Sequence, residues 1–262
     1  MLRTYRRGRL KNKSLGGAKP GRVGQMRIFA TLTAILAGFC LSGCGTPGLA
    51  NNDPYEATNR EIFDFNLKVD HWTLRHTAET YIEYVPEPVR NSIHNALTNL
   101  DRPVTFANDV LQGEPKRAGQ TVCRLAVNST LGVAGLFDVA SSFGIPDHTE
   151  DFGQTLAVWG MGEGPYLMLP LYGPAPPRDA VGLAVDLALD PSNYIRIKRH
   201  ILWAAGRKYL VSLDLRARNM ETLDDIERNS LDFYASTRTL YRQYRASEIR
   251  NGEPGAPPPS ED

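Results

Sequence analysis

With three cysteines, no Gly-x-Ser-x-Gly pentapeptide, no His-Glu-x-x-His pair and no Gly-Lys-Ser/Thr step, the 262-residue sequence is marked first by what it lacks. The missing serine elbow excludes the common ester hydrolases, which need that strand-to-helix turn. His71, His76, His94, His148 and His200 offer no paired spacing, so a zinc hydrolase has no visible ligand set. Gly160, Gly162 and Gly164 alternate, but not as Gly-x-Gly-x-x-Gly, which argues against a phosphate-cradling loop. Strand signals are scarce. Beyond residue 43 there is no apolar run of 18 or more residues, so no ordinary transmembrane helix is expected.

What is present begins at the amino terminus. Residues 28–41 (IFATLTAILAGFCL) are apolar and uncharged, follow Arg27, and end in Leu41-Ser42-Gly43-Cys44. This is the layout of an export signal. The stretch falls short of the roughly 17–25 residues that span a bilayer, so removal is expected over retention. Leu-Ser-Gly-Cys matches the bacterial lipobox, whose cysteine is acylated and becomes the first mature residue. A buried core strand with an incidental cysteine is the bland alternative. Eight basic residues precede Met26, which is a candidate start.

Cleavage before Cys44 removes nine basic residues and no acidic one, leaving 21 of the 30 Lys and Arg against 29 Asp and Glu. An acidic mature chain argues against nucleic acid, which calls for a basic surface, and against simple attraction to anionic head groups. Cys40 lies in the signal and Cys44 carries lipid, so Cys123 stands alone and no intrachain disulfide can form. At a helical position it is expected to be a small buried apolar residue.

The pattern predicts an all-α chain: a leader and signal over residues 1–43, a tether over 44–52, one helical domain over 53–245, and a Pro-rich disordered tail over 246–262. Asp53-Pro54-x-Glu56 reads as a capping box for a first helix running toward Ala78. That helix carries apolar residues around much of its girth, a poor surface helix for water. A second helix follows Pro88, with Val89, Ile93, Leu97 and Leu100 as an apolar stripe and Asn91, Asn95 and Asn99 four apart. A solvated face is slightly favoured for that row over a polar seam. Further helices are expected over 104–111, 115–131, 151–159, 178–189, 196–218 and 221–245. The cluster Asp147-His148-Thr149-Glu150-Asp151 suits a metal or a proton shuttle in principle, but more readily caps the next helix. Between Gly160 and Tyr166 the glycines, followed by Pro165, need either a sharp turn or a mobile segment; composition does not separate the two.

Several blocks together resemble the VacJ/MlaA lipoproteins. The opening is Asp53-Pro54-x-Glu56-x-x-Asn59-Arg60-x-x-Phe63-x-Phe65-Asn66-x-x-x-Asp70. It is followed, in the family's order, by Val85-Pro86-x-Pro88-Val89-Arg90, Asn108-x-x-Leu111-Gln112-Gly113, Asn128-Ser129-Thr130-Leu131-Gly132, Phe137-Asp138-Val139-Ala140, Glu150-Asp151-Phe152-Gly153-Gln154-Thr155-Leu156 and Gly164-Pro165-Tyr166. The likeness covers about residues 53–186 and is weak beyond. Mild departures occur at Gly135-Leu136 and Cys123-Arg124-Leu125.

The resemblance implies a ring-like bundle of amphipathic helices lying in the outer membrane around a central amphipathic channel. Its expected work is to remove phospholipid from the outer leaflet and pass it to a periplasmic lipid carrier, in association with an outer-membrane porin trimer and without enzyme chemistry or cofactor. Gly45, in place of an aspartate after Cys44, is compatible with the outer membrane. Asn59, Arg60, Phe63 and Asn66 on the first helix, with Gly160, Gly162, Gly164, Pro165 and Tyr166, are the candidates for the lipid path. For Arg60 a polar lipid contact and a structural pair with an acidic neighbour are equally expected. Two other readings remain: a structural or adhesive surface lipoprotein, and a lipid hydrolase built on residues 147–151.

Overall fold

The computed structural model describes residues 52–194 and 200–253. The expected signal, Cys44, nearly all of the tether, the start of the helix at Arg196 and the Pro-rich end lie outside the described residues. What is described is all-α, as expected. α1 (Glu56–Val69) passes through a π-helical stretch (Asp70–Arg75) into α2 (His76–Tyr84). The π turns widen the helix. Around them Asp70 accepts from Arg216, and Arg75 donates to Asp224 at 2.8 Å. α2 ends at Val85, which is extended (φ −101°, ψ 113°) because the ring of Pro86 disfavours helix in the residue before it.

α3 (Glu87–Gln112) is a single 26-residue helix, where a separate helix over 104–111 was expected. Pro103 removes one backbone bond to the carbonyl four residues back. Tertiary burial of the next turns, at Arg102, Thr105, Asn108 and Asp109, overrides that loss. α4 (Pro115–Thr130), the short α5 (Val139–Ser142) and α6 (Phe152–Val158) follow. Asp151 caps α6 by accepting from the Gln154 N–H at 2.9 Å. A two-residue hairpin pairs β1 (Met168–Leu169) with β2 (Gly173–Pro174), Met168 opposite Pro174. α7 (Pro177–Leu189) and a 3-10 turn (Pro191–Tyr194) lead to α8 (His200–Arg218).

The last predicted helix is two: α9 (Met220–Asn229) and α10 (Phe233–Ile249). The chain breaks because Asp232 turns its carboxylate onto the Ala235 N–H at 3.0 Å and starts a new helix. α10 also extends past Arg245, into residues expected to be disordered. The α6 and α7 helices approach to backbone contact: a Cβ on Gly182 would stand 2.3 Å from the Gly153 nitrogen.

Polarity is inverted relative to a water-soluble domain. Among the described residues, ten hydrophobic side chains are buried against twenty polar or charged ones, so the interior is held by hydrogen bonds and ion pairs. Two small apolar clusters form among the described residues: Ala78, Leu213 and Ala217 in one, and Tyr166, Met168 and Tyr234 in the other. Large apolar side chains face outward instead: Trp72 is 84% exposed and Leu231 fully so. On α3, Val89 and Leu100 of the expected core stripe are exposed. The asparagine row turns inward only at its far end: Asn99 is buried and donates to Ser129 at 3.0 Å, Asn95 is half-buried, and Asn91 is exposed and accepts from Arg218 at 3.0 Å. At Asn99 the row is a polar seam between helices, which corrects the solvated-face expectation there, whereas Asn91 keeps it. Cys123, expected inside, is exposed.

Candidate functional site

The site residues predicted on α1 point at the hairpin and at α10. Asn59 is buried and clamps extended backbone on two sides. Its amide donates to the Tyr166 carbonyl at 3.0 Å, and its side-chain oxygen accepts from the Met168 N–H at 3.0 Å. Two turns on, Asn66 repeats the device: it donates to the Leu169 carbonyl at 2.9 Å and accepts from the Leu171 N–H at 2.7 Å. The pair holds residues 166–171 against α1 as an added strand would, satisfying backbone that would otherwise be orphaned.

Asp53 is no helix cap. It is buried, accepting from Asn59 at 2.8 Å on one oxygen and from the Tyr234 hydroxyl at 2.5 Å and Arg238 at 2.6 Å on the other. Arg60 takes the structural alternative. Its guanidinium reaches Asp232 at 2.5 and 3.1 Å and Glu56 at 2.8 Å, with its carbon 4.5 Å from the centre of the Tyr234 ring. The hydrogen bond from Arg60 holds the Asp232 carboxyl down at about 2.

Phe63 and Asn66 line a cavity of about 310 Å³ with Leu67, Met168, Leu223 and Phe233. Its wall is mostly apolar, and Asp70 and Arg216 supply an ion pair at 3.1 Å that Asp224 extends at 3.0 Å. The chamber is amphipathic, with a hydrocarbon-compatible wall beside fixed charges. Phe63 meets the rings of Phe233 and Tyr234 edge-on, at 5.2 and 5.6 Å.

The glycine segment leads into this assembly. Gly160 and Gly164 both occupy left-handed backbone (φ +91° and +78°), whereas Gly162 has open space around it. Gly164 also abuts Pro177, and its carbonyl accepts from Asn52 at 2.7 Å. After Pro165, Tyr166 is wholly buried against Tyr234 and Tyr241.

Of the 147–151 cluster only Asp151 caps. Asp147 pairs with Arg102, and Glu150 takes Arg117 at 2.5 Å and Gln112 at 2.8 Å. His148 presents one ring nitrogen, Nε2, to both Asp109 (3.0 Å) and the Thr121 hydroxyl (3.1 Å). A proton relay runs through the two different nitrogens of the ring. Here both partners share one, so the knot fixes α3, α4 and the 148 segment together.

Sequence reading missed the contribution of α10. Tyr234, Arg238, Tyr241 and Arg245 recur at helical spacing, and that stripe is the helix's inward face. Arg245 bridges Asp151 at 2.6 Å and Asp179 at 3.0 Å, and Tyr241 donates to Asp179 at 2.5 Å. An arginine-tyrosine stripe is legible as a face, but its acidic partners lie up to 185 residues away.

The family model described as MlaA lipoprotein matches residues 51–248. A Haemophilus influenzae protein named "Intermembrane phospholipid transport system lipoprotein MlaA" is 30% identical over 236 residues, covering 87% of this chain and 93% of its own length. The Escherichia coli protein of the same name is 34% identical, covering 87% and 89%. A solved structure described as "Structural basis for maintenance of bacterial outer membrane lipid asymmetry" superposes with a TM-score of 0.67 at 35% identity, over 75% of this chain and 98% of that one. The chain belongs to the MlaA lipoprotein family.

Proposed function

We propose that this protein is a lipid-anchored component of the outer membrane that sits within one leaflet. It withdraws misplaced phospholipid from the outer leaflet through an amphipathic passage within a ring of its helices, and hands it to a periplasmic carrier. The observation that carries this reading is the inverted polarity. A paired, polar interior beneath a surface that carries many large exposed apolar side chains suits a body partly solvated by lipid tails, where helices satisfy their own backbone. The surface-scaffold alternative expects a polar exterior, which Trp72 and Leu231 do not supply. No helix among the described residues is long and apolar enough to cross a membrane, which is consistent with helices lying in the leaflet.

In this reading the chamber beside Phe63 and Asn66 is part of the lipid path, with acyl chains against Phe63, Leu67 and Phe233 and polar groups near Asp70 and Arg216. Residues 160–166 do not line this chamber; they are the mobile wall of the passage leading to it, tethered at Tyr166 by Asn59. Transfer makes and breaks no covalent bond, so the residues supply shape and charge, not enzyme chemistry. A porin trimer holds the protein in place, and acylated Cys44 adds about 0.8 kcal/mol per buried CH₂. The deciding experiment measures outer-leaflet phospholipid in cells lacking the protein. The expected result is a rise that the full chain reverses and a Cys44→Ala chain reverses poorly; no rise overturns the reading.

A further inference from the structure

The chamber beside Phe63 has one wall unlike the others. α1, α8 and α10 each bury side chains in the body: Asn59 on α1, Leu213 and Ala217 on α8, Tyr234 and Arg238 on α10. The hairpin wall is clamped to α1 by Asn59 and Asn66. α9 contributes Leu223 and Glu227 to the lining, yet it buries no side chain. Elements with few buried contacts open most readily. α9 also stands between two breaks. Asn219 leaves helical geometry before it (φ −107°, ψ 17°), and Ser230 is extended after it (φ −79°, ψ 133°), followed by the fully exposed Leu231. Hinges are commonly a few residues at the ends of elements, which absorb the backbone change. Met220 packs partly buried against the Ala78 cluster and pins the first end.

Charge holds the rest of α9 down. Asp224 accepts from Arg75 on the π-helical stretch at 2.8 Å and from Arg216 on α8 at 3.0 Å. One turn on, Glu227 meets His71 at 3.3 Å and Arg75 at 3.9 Å. His71, Arg75 and Glu227 are partly exposed, and ion pairs in contact with water are weak and screened by salt. A helix strapped this way is closed at rest and easily lifted. Cargo size makes lifting necessary. A volume of about 310 Å³ stands at the lower end of the roughly 300–1,000 Å³ that encloses a drug-sized ligand. A phospholipid with two acyl chains is larger than that, so a wall has to move to admit it. Of the walls, α9 is the one that moves without unpacking a buried side chain.

We propose that α9 is a lid over this chamber, latched by Asp224 and Glu227 and pivoting at Asn219, that lifts to admit a phospholipid and closes with Leu223 against an acyl chain. The inference rests on the chamber being part of the lipid path and gives that same site a means of controlling entry. Opening involves no covalent step. Arg216 keeps Asp70 at 3.1 Å when Asp224 lets go, and Arg75 keeps Glu79 at 3.3 Å, so neither guanidinium is stranded.

The test uses the full chain in two measurements. Hydrogen exchange in a maltoside detergent should find the amides of α9 exchanging about tenfold faster than those of α8 and α10, and Asp224→Asn should quicken α9 about tenfold more while leaving those two unchanged. For the second, Cys123→Ser removes the exposed thiol, and His71→Cys with Glu227→Cys allows a reducible bis-maleimide to staple α9 shut. The chain is mixed with phosphatidylethanolamine vesicles carrying a photoreactive acyl chain, and label is read on the peptides that contain Phe63, Leu67 and Phe233. The unstapled double variant should label at least as well as the unsubstituted chain, the stapled one about tenfold less, and reduction of the linker should restore labelling. Recovery on reduction separates a closed lid from a misfolded variant. Labelling that ignores the staple overturns the lid and leaves the chamber on the lipid path. Exchange of α9 as slow as that of α10 also overturns the lid alone. No label at these peptides in the unstapled chain removes the chamber from the lipid path, and the lid with it.

Discussion

Arg238 donates to Asp53 at 2.6 Å across 185 residues of sequence, and both side chains are buried. The last helix is thereby joined to the residue that opens the domain, and Tyr234 and Asn59 complete the junction on the same carboxylate. If Asp53 only capped a helix, its loss would cost about 1 kcal/mol. Stripping a buried guanidinium of its partner costs about 3–5 kcal/mol. Asp53→Ala should fall in the second range, measured by denaturant unfolding in detergent; a loss near the first would refute the junction.

Gly182→Ala tests the closest helix contact. The added methyl would meet the backbone of Gly153, which has no side chain to rotate away. Overpacking of this kind costs about 1–3 kcal/mol and occasionally more. The upper end is expected here, read as a lowered unfolding midpoint, whereas Gly206→Ala, in open space on α8, should be close to neutral or mildly stabilising.

The 160–166 segment makes a separable prediction. Gly162 has room for a methyl, but Gly164, at φ +78° beside Pro177, does not accept one without strain. The Gly162→Ala and Gly164→Ala double variant should impair phospholipid removal in cells, with most of the loss reproduced by Gly164→Ala alone. Undiminished removal would count against a mobile wall.

Asp138 gives a pH signature. Burial pushes its carboxyl up, but hydrogen bonds from Ser141, Asn128 and one guanidinium nitrogen of Arg124 shared between both oxygens outweigh that and bring it from 3.8 to about 2. A depressed folded value stabilises above the unfolded one and is lost as pH falls through the folded one. Thermal midpoints should therefore decline between pH 4 and pH 2, and Asp138→Asn should flatten that part of the curve while lowering its neutral plateau.

Most helices were legible from their breakers: Gly113 closes α3, Pro115 opens α4, and Asp151 caps α6. Local chemistry misled where distant partners decide. Asp53 carried every sign of a cap, yet it caps nothing, and two of its three partners lie on α10. A separate helix was expected over 104–111, yet the buried face of α3 carries one helix through Pro103. Asn99 read as solvated with the rest of its row because asparagine is usually outside, an expectation that fails where the interior is the polar side. For Asn59, Arg60 and Asn66 the sequence located the residues but not their targets, which are the 166–171 backbone and Asp232.

The inverted interior also bears on heat capacity. Exposing apolar surface to water raises the heat capacity on unfolding, and exposing polar groups lowers it. Opening this interior releases mainly arginine, aspartate and asparagine, while the outward Trp72 and Leu231 exchange one lipid-like neighbour for another. Calorimetry in detergent should show an increment per residue well below the roughly 12–15 cal/mol/K of water-soluble domains. The resulting flat stability curve would make the protein nearly indifferent to growth temperature.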